Sequence, residues 1–199
     1  VASVKRASFA EQEYWGKPVS GFGDPASSIV LLGLAPAAHG ANRTGRIFTG
    51  DRSGDFLYAA LWRAGLANQP QSISRDDGLQ LEGAWVTAAV RCAPPANKPT
   101  PTERDRCAHW LDEEFALLPN VRVVVCLGGF GWDAALRLRG RLGSAAPSPK
   151  PRFGHNAVSE GEPWTMLGCY HPSQQNTFTG RLTEAMIDSV LARAQSLAS

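Results

Sequence analysis

The sequence predicts an α/β protein: a three-layer α/β/α sandwich around a central, mainly parallel sheet of four strands. Two observations carry that prediction. Four short apolar runs, each bounded by Gly, Pro or polar residues, have the length of buried strands, and segments with apolar residues at helical spacing separate most of them. Strands that alternate with helices close on a parallel sheet covered on both faces. With 43% hydrophobic and 19% charged residues, the 199-residue chain has enough apolar surface for a globular core and reads as one domain over 1–199.

The elements follow in chain order. Ile29-Val30-Leu31-Leu32-Gly33-Leu34, between Asp24-Pro25 and Pro36, reads as the first strand. A loop rich in Gly, Asn, Thr and Arg runs from Ala35 to Arg52. Ser53 is the expected cap of a helix through Phe56, Leu57, Ala60, Leu61 and Ala64, ended by Gly65. Asn68 to Gly78 is polar, contains Pro70 and reads as a loop. Trp85 to Val90 is the second strand, broken by Pro94 to Pro101. Thr102 is expected to cap a helix with Cys107, Leu111, Phe115 and Leu118 on one stripe. Val121 to Leu127 is the third strand, and Gly128-Gly129 leads into a helix through Ala134, Ala135 and Leu138. Arg139 to Gly161, with Pro147, Pro149 and Pro151, reads as a surface excursion. Trp164 to Cys169 is the fourth strand, stopped by His171-Pro172-Ser173, and Leu182 to Leu197 is a final amphipathic helix.

Composition excludes some function classes. No run of about 18 apolar residues is present, and Val1 to Phe9 lacks the apolar core of a signal peptide, so no membrane association is expected and the expected location is cytoplasmic. Neither a Walker loop nor a dinucleotide glycine fingerprint occurs, so ATP and NAD are not indicated. The net charge of +2 permits a nucleic-acid partner without requiring one. Of the four cysteines, Cys126 and Cys169 fall in apolar runs and read as small buried hydrophobes, whereas Cys92 and Cys107 flank a polar, proline-rich stretch.

In parallel sheets of this kind ligands bind beyond the carboxyl ends of the strands. The loops after the first, second and fourth strands are therefore the candidate site. They read Gly33-Leu34-Ala35-Pro36-Ala37-Ala38-His39-Gly40-Ala41-Asn42-Arg43-Thr44-Gly45-Arg46-Ile47-Phe48-Thr49-Gly50-Asp51, then Thr87-Ala88-Ala89-Val90-Arg91-Cys92-Ala93-Pro94-Pro95-Ala96-Asn97-Lys98-Pro99, then His171-Pro172-Ser173-Gln174-Gln175-Asn176-Thr177-Phe178-Thr179-Gly180-Arg181. In that order they resemble the three motifs of the B-type (fifth-family) uracil-DNA glycosylases, with a likeness that runs from about Tyr14 to the last helix. The resemblance implies a monofunctional base-excision-repair glycosylase, acting as a monomer on DNA that contains uracil or other deaminated bases.

The residue chemistry suits that reaction. A glycosylase flips its nucleotide into a pocket and breaks a bond whose transition state pairs a cationic sugar with an anionic base. Phe48 can stack on the base, within a loop whose small residues, Gly33, Ala35 and Pro36, let the backbone approach. Asp51 can stabilise the sugar cation or hold water, and His171 can donate to the leaving base. The resemblance adds Asn97 to catalysis or substrate contact. Plainer roles stay open for each: loop packing for Phe48, a helix-terminal charge for Asp51, a turn residue for His171 and for Asn97. Arg43, Arg46, Lys98 and Arg181 can neutralise phosphates, and Ser173, Gln174, Gln175 and Asn176 suit groove edges. Ala88 and Ala89 stand where relatives often carry a base-reading Asn, so a broad base range including hypoxanthine is expected.

The resemblance further implies that Cys92 and Cys107 are two ligands of a [4Fe-4S] cluster, with the other pair upstream of Val1 in a longer chain. The alternative function is a non-catalytic or covalently trapping uracil-DNA-binding protein. The first motif has no basic insert of the trapping kind, and His39 is the residue that keeps this alternative open.

Overall fold

A computed structural model describes Ser3, residues 5–145 and residues 147–199; Val1, Ala2, Val4 and Ala146 lie outside it. Among the described residues the strands are β1 (Phe22–Gly23), β2 (Ile29–Gly33), β3 (Ala84–Ala88), β4 (Val123–Leu127), β5 (Val158–Ser159) and β6 (Thr165–Cys169). The helices are α1 (Ala41–Thr44), α2 (Arg52–Arg63), α3 (Pro101–Ala116), α4 (Gly129–Arg141), α5 (Gln174–Phe178) and α6 (Glu184–Ala198).

The α/β class and the parallel centre are as expected, but the sheet has six strands in the order β1-β3-β2-β4-β6-β5 and not four. β3, β2, β4 and β6 are the parallel four, and β1 and β5 are antiparallel edges. Each edge strand is two residues long, too short to carry a periodic apolar signal.

The apolar runs are continuous because both faces of the sheet are covered. Alternate residues of one strand enter different cores. Leu31, Val123, Val125 and Leu167 meet Leu57, Tyr58 and Leu61 of α2 and Ile187, Val190 and Leu191 of α6. Val30, Leu32, Val124 and Met166 meet Leu111 and Phe115 of α3 and Trp132, Ala135 and Leu138 of α4. Cys126 and Cys169 are fully buried in these layers, as their apolar neighbours predicted.

Two expectations need correction. The cap of α3 is Thr100, not Thr102: its hydroxyl accepts the Glu103 N–H, the Glu103 carboxylate accepts the Thr100 N–H, and Pro101 occupies the first turn where no N–H is needed. The stretch from Arg139 is not a simple excursion. Arg139 and Arg141 belong to α4, and the Arg139 guanidinium is buried, donating to the carbonyls of Ser159, Gly161 and Trp164. A charge is tolerated inside because three carbonyls accept from one terminal nitrogen and the aliphatic stem packs, while Nε has no partner among the described residues.

α4 lies close to the sheet at Gly131, where an added Cβ would stand 2.5 Å from the Leu32 carbonyl oxygen. Gly131→Ala is expected to destabilise the fold by about 1–3 kcal/mol, read as a lower urea midpoint at unchanged slope.

Candidate active site

Parallel strands end on one side, so the loops after β2, β3 and β6 meet there. They line one groove of about 920 Å³, to which the first contributes Ala37, His39 and Asp51, the second Asn97, and the third Ser173, Gln174 and Gln175. A narrow pocket of about 40 Å³ opens beside it, walled by Ala35, Ala37, Phe48, Asp51, Ser53 and His171. Ala37, Asp51 and Ser53 belong to both.

Phe48 is buried, with a left-handed backbone (φ 50°) that turns its ring back over the end of β2. Gly33 makes this possible: a Cβ there would stand 2.8 Å from the ring. The ring faces His171 with centroids 5.9 Å apart and a tilt of 35°. Pro36 is buried beneath the loop and, like Gly33, shapes the pocket from outside its walls.

Asp51 holds two positions at once. It is the N-cap of α2, the role expected for Ser53: Oδ1 accepts the N–H of Ser53 at 2.9 Å and of Gly54 at 3.1 Å. Oδ2 lies against Gly40, whose missing side chain makes the room, and accepts no hydrogen bond among the described residues. Burial raises the Asp51 carboxyl above its usual range, against the two amide N–H groups. The helix-terminal reading of this residue is thus realised, and the same carboxylate lines the pocket.

His171 follows β6, and burial in the pocket wall pushes its imidazole down to about 4. It is a neutral ring at physiological pH, able to donate one N–H and accept at the other nitrogen. The Asn176 amide donates to the His171 carbonyl at 2.8 Å and ties α5 to this turn. Asn97 is exposed on the groove, in a turn where it and Ala96 have φ of 55° and 51°.

The basic residues divide. Arg46 is 4% exposed and cannot reach a phosphate: it forms a bidentate pair with Asp77 at 2.7 and 2.8 Å and donates to Ser72 and Thr49. Asp77 is held below the usual carboxylate range; burial opposes this, and Arg46 with three backbone N–H groups outweighs it. Arg43 borders the groove, but its guanidinium is spent on the carbonyls of His39 and Gly50 and on Gln12, over the Phe9 ring. Both arginines build the loop. Arg181 stacks on Tyr170 outside the groove, and Lys98 is exposed without lining it.

The sequence reading missed four groups. Arg6, Phe9 and Arg52 line the groove, and Phe178 stands 74% exposed at the end of α5. An aromatic in an otherwise polar loop was the available signal for Phe178; nothing in the sequence marked the other three.

Cys92 is exposed after β3 and Cys107 half-buried on α3; burial, and next the Cys107 thiol, raise the Cys92 thiol above its usual range. No group of three or more His, Cys, Asp or Glu that could hold a metal occurs among the described residues, and Cys92 and Cys107 are two thiols of the kind a four-thiolate cluster uses. A buried network fixes the elements that carry them. Glu114 of α3 accepts Arg91 at 2.7 Å, Thr87 at 2.6 Å and the Gly21 N–H at 3.0 Å. No helix among the described residues is long and apolar enough to cross a membrane.

Because the folded His171 ring resists protonation, its contribution to stability is complete above the unfolded value of 6.5 and is lost as pH falls toward about 4. Ring NMR is expected to show His171 neutral at pH 5.5. A midpoint near 6.5 would contradict the buried geometry.

The comparisons with known proteins agree with this arrangement. The family model described as the uracil DNA glycosylase superfamily matches residues 20–195. A type-5 uracil-DNA glycosylase of Mycobacterium tuberculosis is 58% identical over 200 residues, covering 100% of this chain and 73% of that protein. The type-5 uracil-DNA glycosylase of Thermus thermophilus is 52% identical over 199 residues, covering 100% and 88%. A type-4 uracil-DNA glycosylase of Thermotoga maritima is 32% identical over 111 residues, covering 55% and 50%. With a superfamily model spanning nearly the whole length and a site assembled from its three loops, the chain belongs to the uracil DNA glycosylase superfamily.

Proposed function

We propose that this protein is a DNA-repair glycosylase of the type-5 kind, acting as a monomer, which extrudes uracil from DNA and hydrolyses its N-glycosidic bond. The observation that carries the reading is the pocket where Phe48, Asp51 and His171 meet at the edge of the groove. The flipped base stacks on Phe48. His171, neutral, donates its N–H to a base oxygen as the C1′–N electron pair leaves with the base. Asp51 presents its free Oδ2 to the water whose oxygen bonds to C1′; the water proton passes to that carboxylate or to solvent. Asn97, Ser173, Gln174 and Gln175 hold the strand in the groove. Phe178 is the apolar tip that fills the stack left by the base.

Among the described residues the pocket walls hold no side-chain amide, and Ala88 and Ala89 are buried at the end of β3. Few fixed hydrogen bonds read the base, so hypoxanthine is accepted beside uracil. The test is base excision on oligonucleotides with one uracil or one hypoxanthine, read by alkaline strand cleavage. Wild type is expected to release both. Asp51→Asn, which keeps the capping oxygen, is expected to fold normally and lose at least about 100-fold in single-turnover rate. Strict discrimination against hypoxanthine would refute the broad range. A stable protein–DNA adduct in place of product would favour trapping, with His39, held by Tyr14 at 2.9 Å on the groove wall, as the nucleophile to examine.

Cys92 and Cys107 are proposed to hold two corners of a structural [4Fe-4S] cluster that supplies rigidity to the second loop and no redox step. Iron and sulfide analysis of the natural full-length protein is expected to find about four of each, lost in Cys92→Ser and in Cys107→Ser. Iron-free protein with full activity would remove the cluster from the account.

A further inference from the structure

The three loops do not complete the groove. Ser72 and Ile73, in the polar segment between α2 and β3, also line it, and Ile73 is 66% exposed. A large β-branched side chain this open is unusual at a polar rim, and its loop is rigid. Asp77 accepts the backbone N–H groups of Ile73 at 2.8 Å, Ser74 at 3.2 Å and Leu79 at 3.0 Å. The same carboxylate takes the buried Arg46 fork, while Ser72 accepts the Gly50 N–H at 3.2 Å through its carbonyl and shares a 2.6 Å hydroxyl contact with Thr49. A buried ion pair adds little to stability, because desolvation offsets the attraction; its best use is to select one conformation. Here it fixes an exposed isoleucine against the Thr49–Asp51 corner of the pocket loop.

We propose that this segment is a fourth DNA-contacting element, in which Ile73 packs on the deoxyribose and base edge of a nucleotide beside the extruded one. The inference rests on the glycosylase reading. DNA is the occupant because Ile73 lines the same groove as Asn97, Ser173 and Gln174, so its surface is continuous with the strand path. An apolar side chain beside a disrupted base step is a known way for proteins to hold bent DNA. Arg46 and Asp77 are positioning residues that act through Ile73.

The experiment compares full-length wild type, Ile73→Ser and Ile73→Leu on a duplex carrying one non-hydrolysable 2′-fluoro-deoxyuridine, with Kd read by anisotropy, alongside single-turnover excision of uracil at saturating protein. Ile73→Ser is expected to melt like wild type, raise Kd roughly ten-fold and leave the saturated rate unchanged. Ile73→Leu is expected to bind nearly as wild type. Asp77→Asn is expected to raise Kd in the wild-type background and to add little on Ile73→Ser, a coupling that a merely structural role would not produce. Wild-type affinity in Ile73→Ser, beside an active wild type, would overturn this proposal alone. A wild type that excises no base would overturn the glycosylase reading and this proposal with it.

Discussion

Asp51 closes the first turn of α2 with one carboxylate oxygen and leaves the other to the pocket. The rest of the site depends on that division. The first N–H groups of a helix need acceptors, and a carboxylate there also meets the positive end of the helix dipole. The position of that second oxygen is thereby set by the start of α2, whose far face packs into the core through Leu57, Tyr58 and Leu61. Phe48, three residues earlier, is placed by the same turn, and the end of β2 receives its ring at Gly33. A side chain held by helix geometry needs no reorganisation when substrate arrives, which is the source of electrostatic preorganisation.

Electrostatics in the pocket and in the groove follow different rules. In the pocket, burial disfavours charge on both titratable groups: the Asp51 carboxyl is raised and the His171 imidazole lowered. A neutral imidazole and a desolvated carboxylate share the pocket, in surroundings where each interaction is stronger than in water. The groove is lined by polar side chains and by Arg6 and Arg52, while the two arginines of the first loop are used as internal struts. Long cations that look free in a sequence are here the ties that give a glycine-rich loop one shape.

That contrast marks how far the sequence could be read. The four central strands were legible because a strand buried on both faces is a continuous apolar run, and the site loops because parallel strands deliver them to one side. The two-residue edges had no pattern to offer. Helix starts were misplaced by two residues at Ser53 and at Thr102, since several polar residues compete at each start and only backbone geometry selects Asp51 and Thr100. The contacts of Arg43, Arg46, Arg139 and Asn176 were out of reach of the sequence for a common reason. Their partners are Gln12, Asp77, distant carbonyls and the His171 carbonyl, and a single sequence does not reveal which groups folding brings together. Asp51, His171 and Phe48 were legible through the motif and meet in one pocket.

The four thiols divide by depth. Cys126 and Cys169 lie inside the sheet, and burial pushes the Cys169 thiol up to about 12 and the Cys126 thiol higher still. Thiolate is the species that oxidants, alkylating agents and soft metals attack, so these two are chemically silent while the sheet is intact. Cys92 and Cys107 are the thiols left within reach of solvent. Thiol oxidation of the folded protein is thereby channelled to Cys92 and Cys107, on the second loop and α3, and the two cysteines of the sheet offer a peroxide no thiolate.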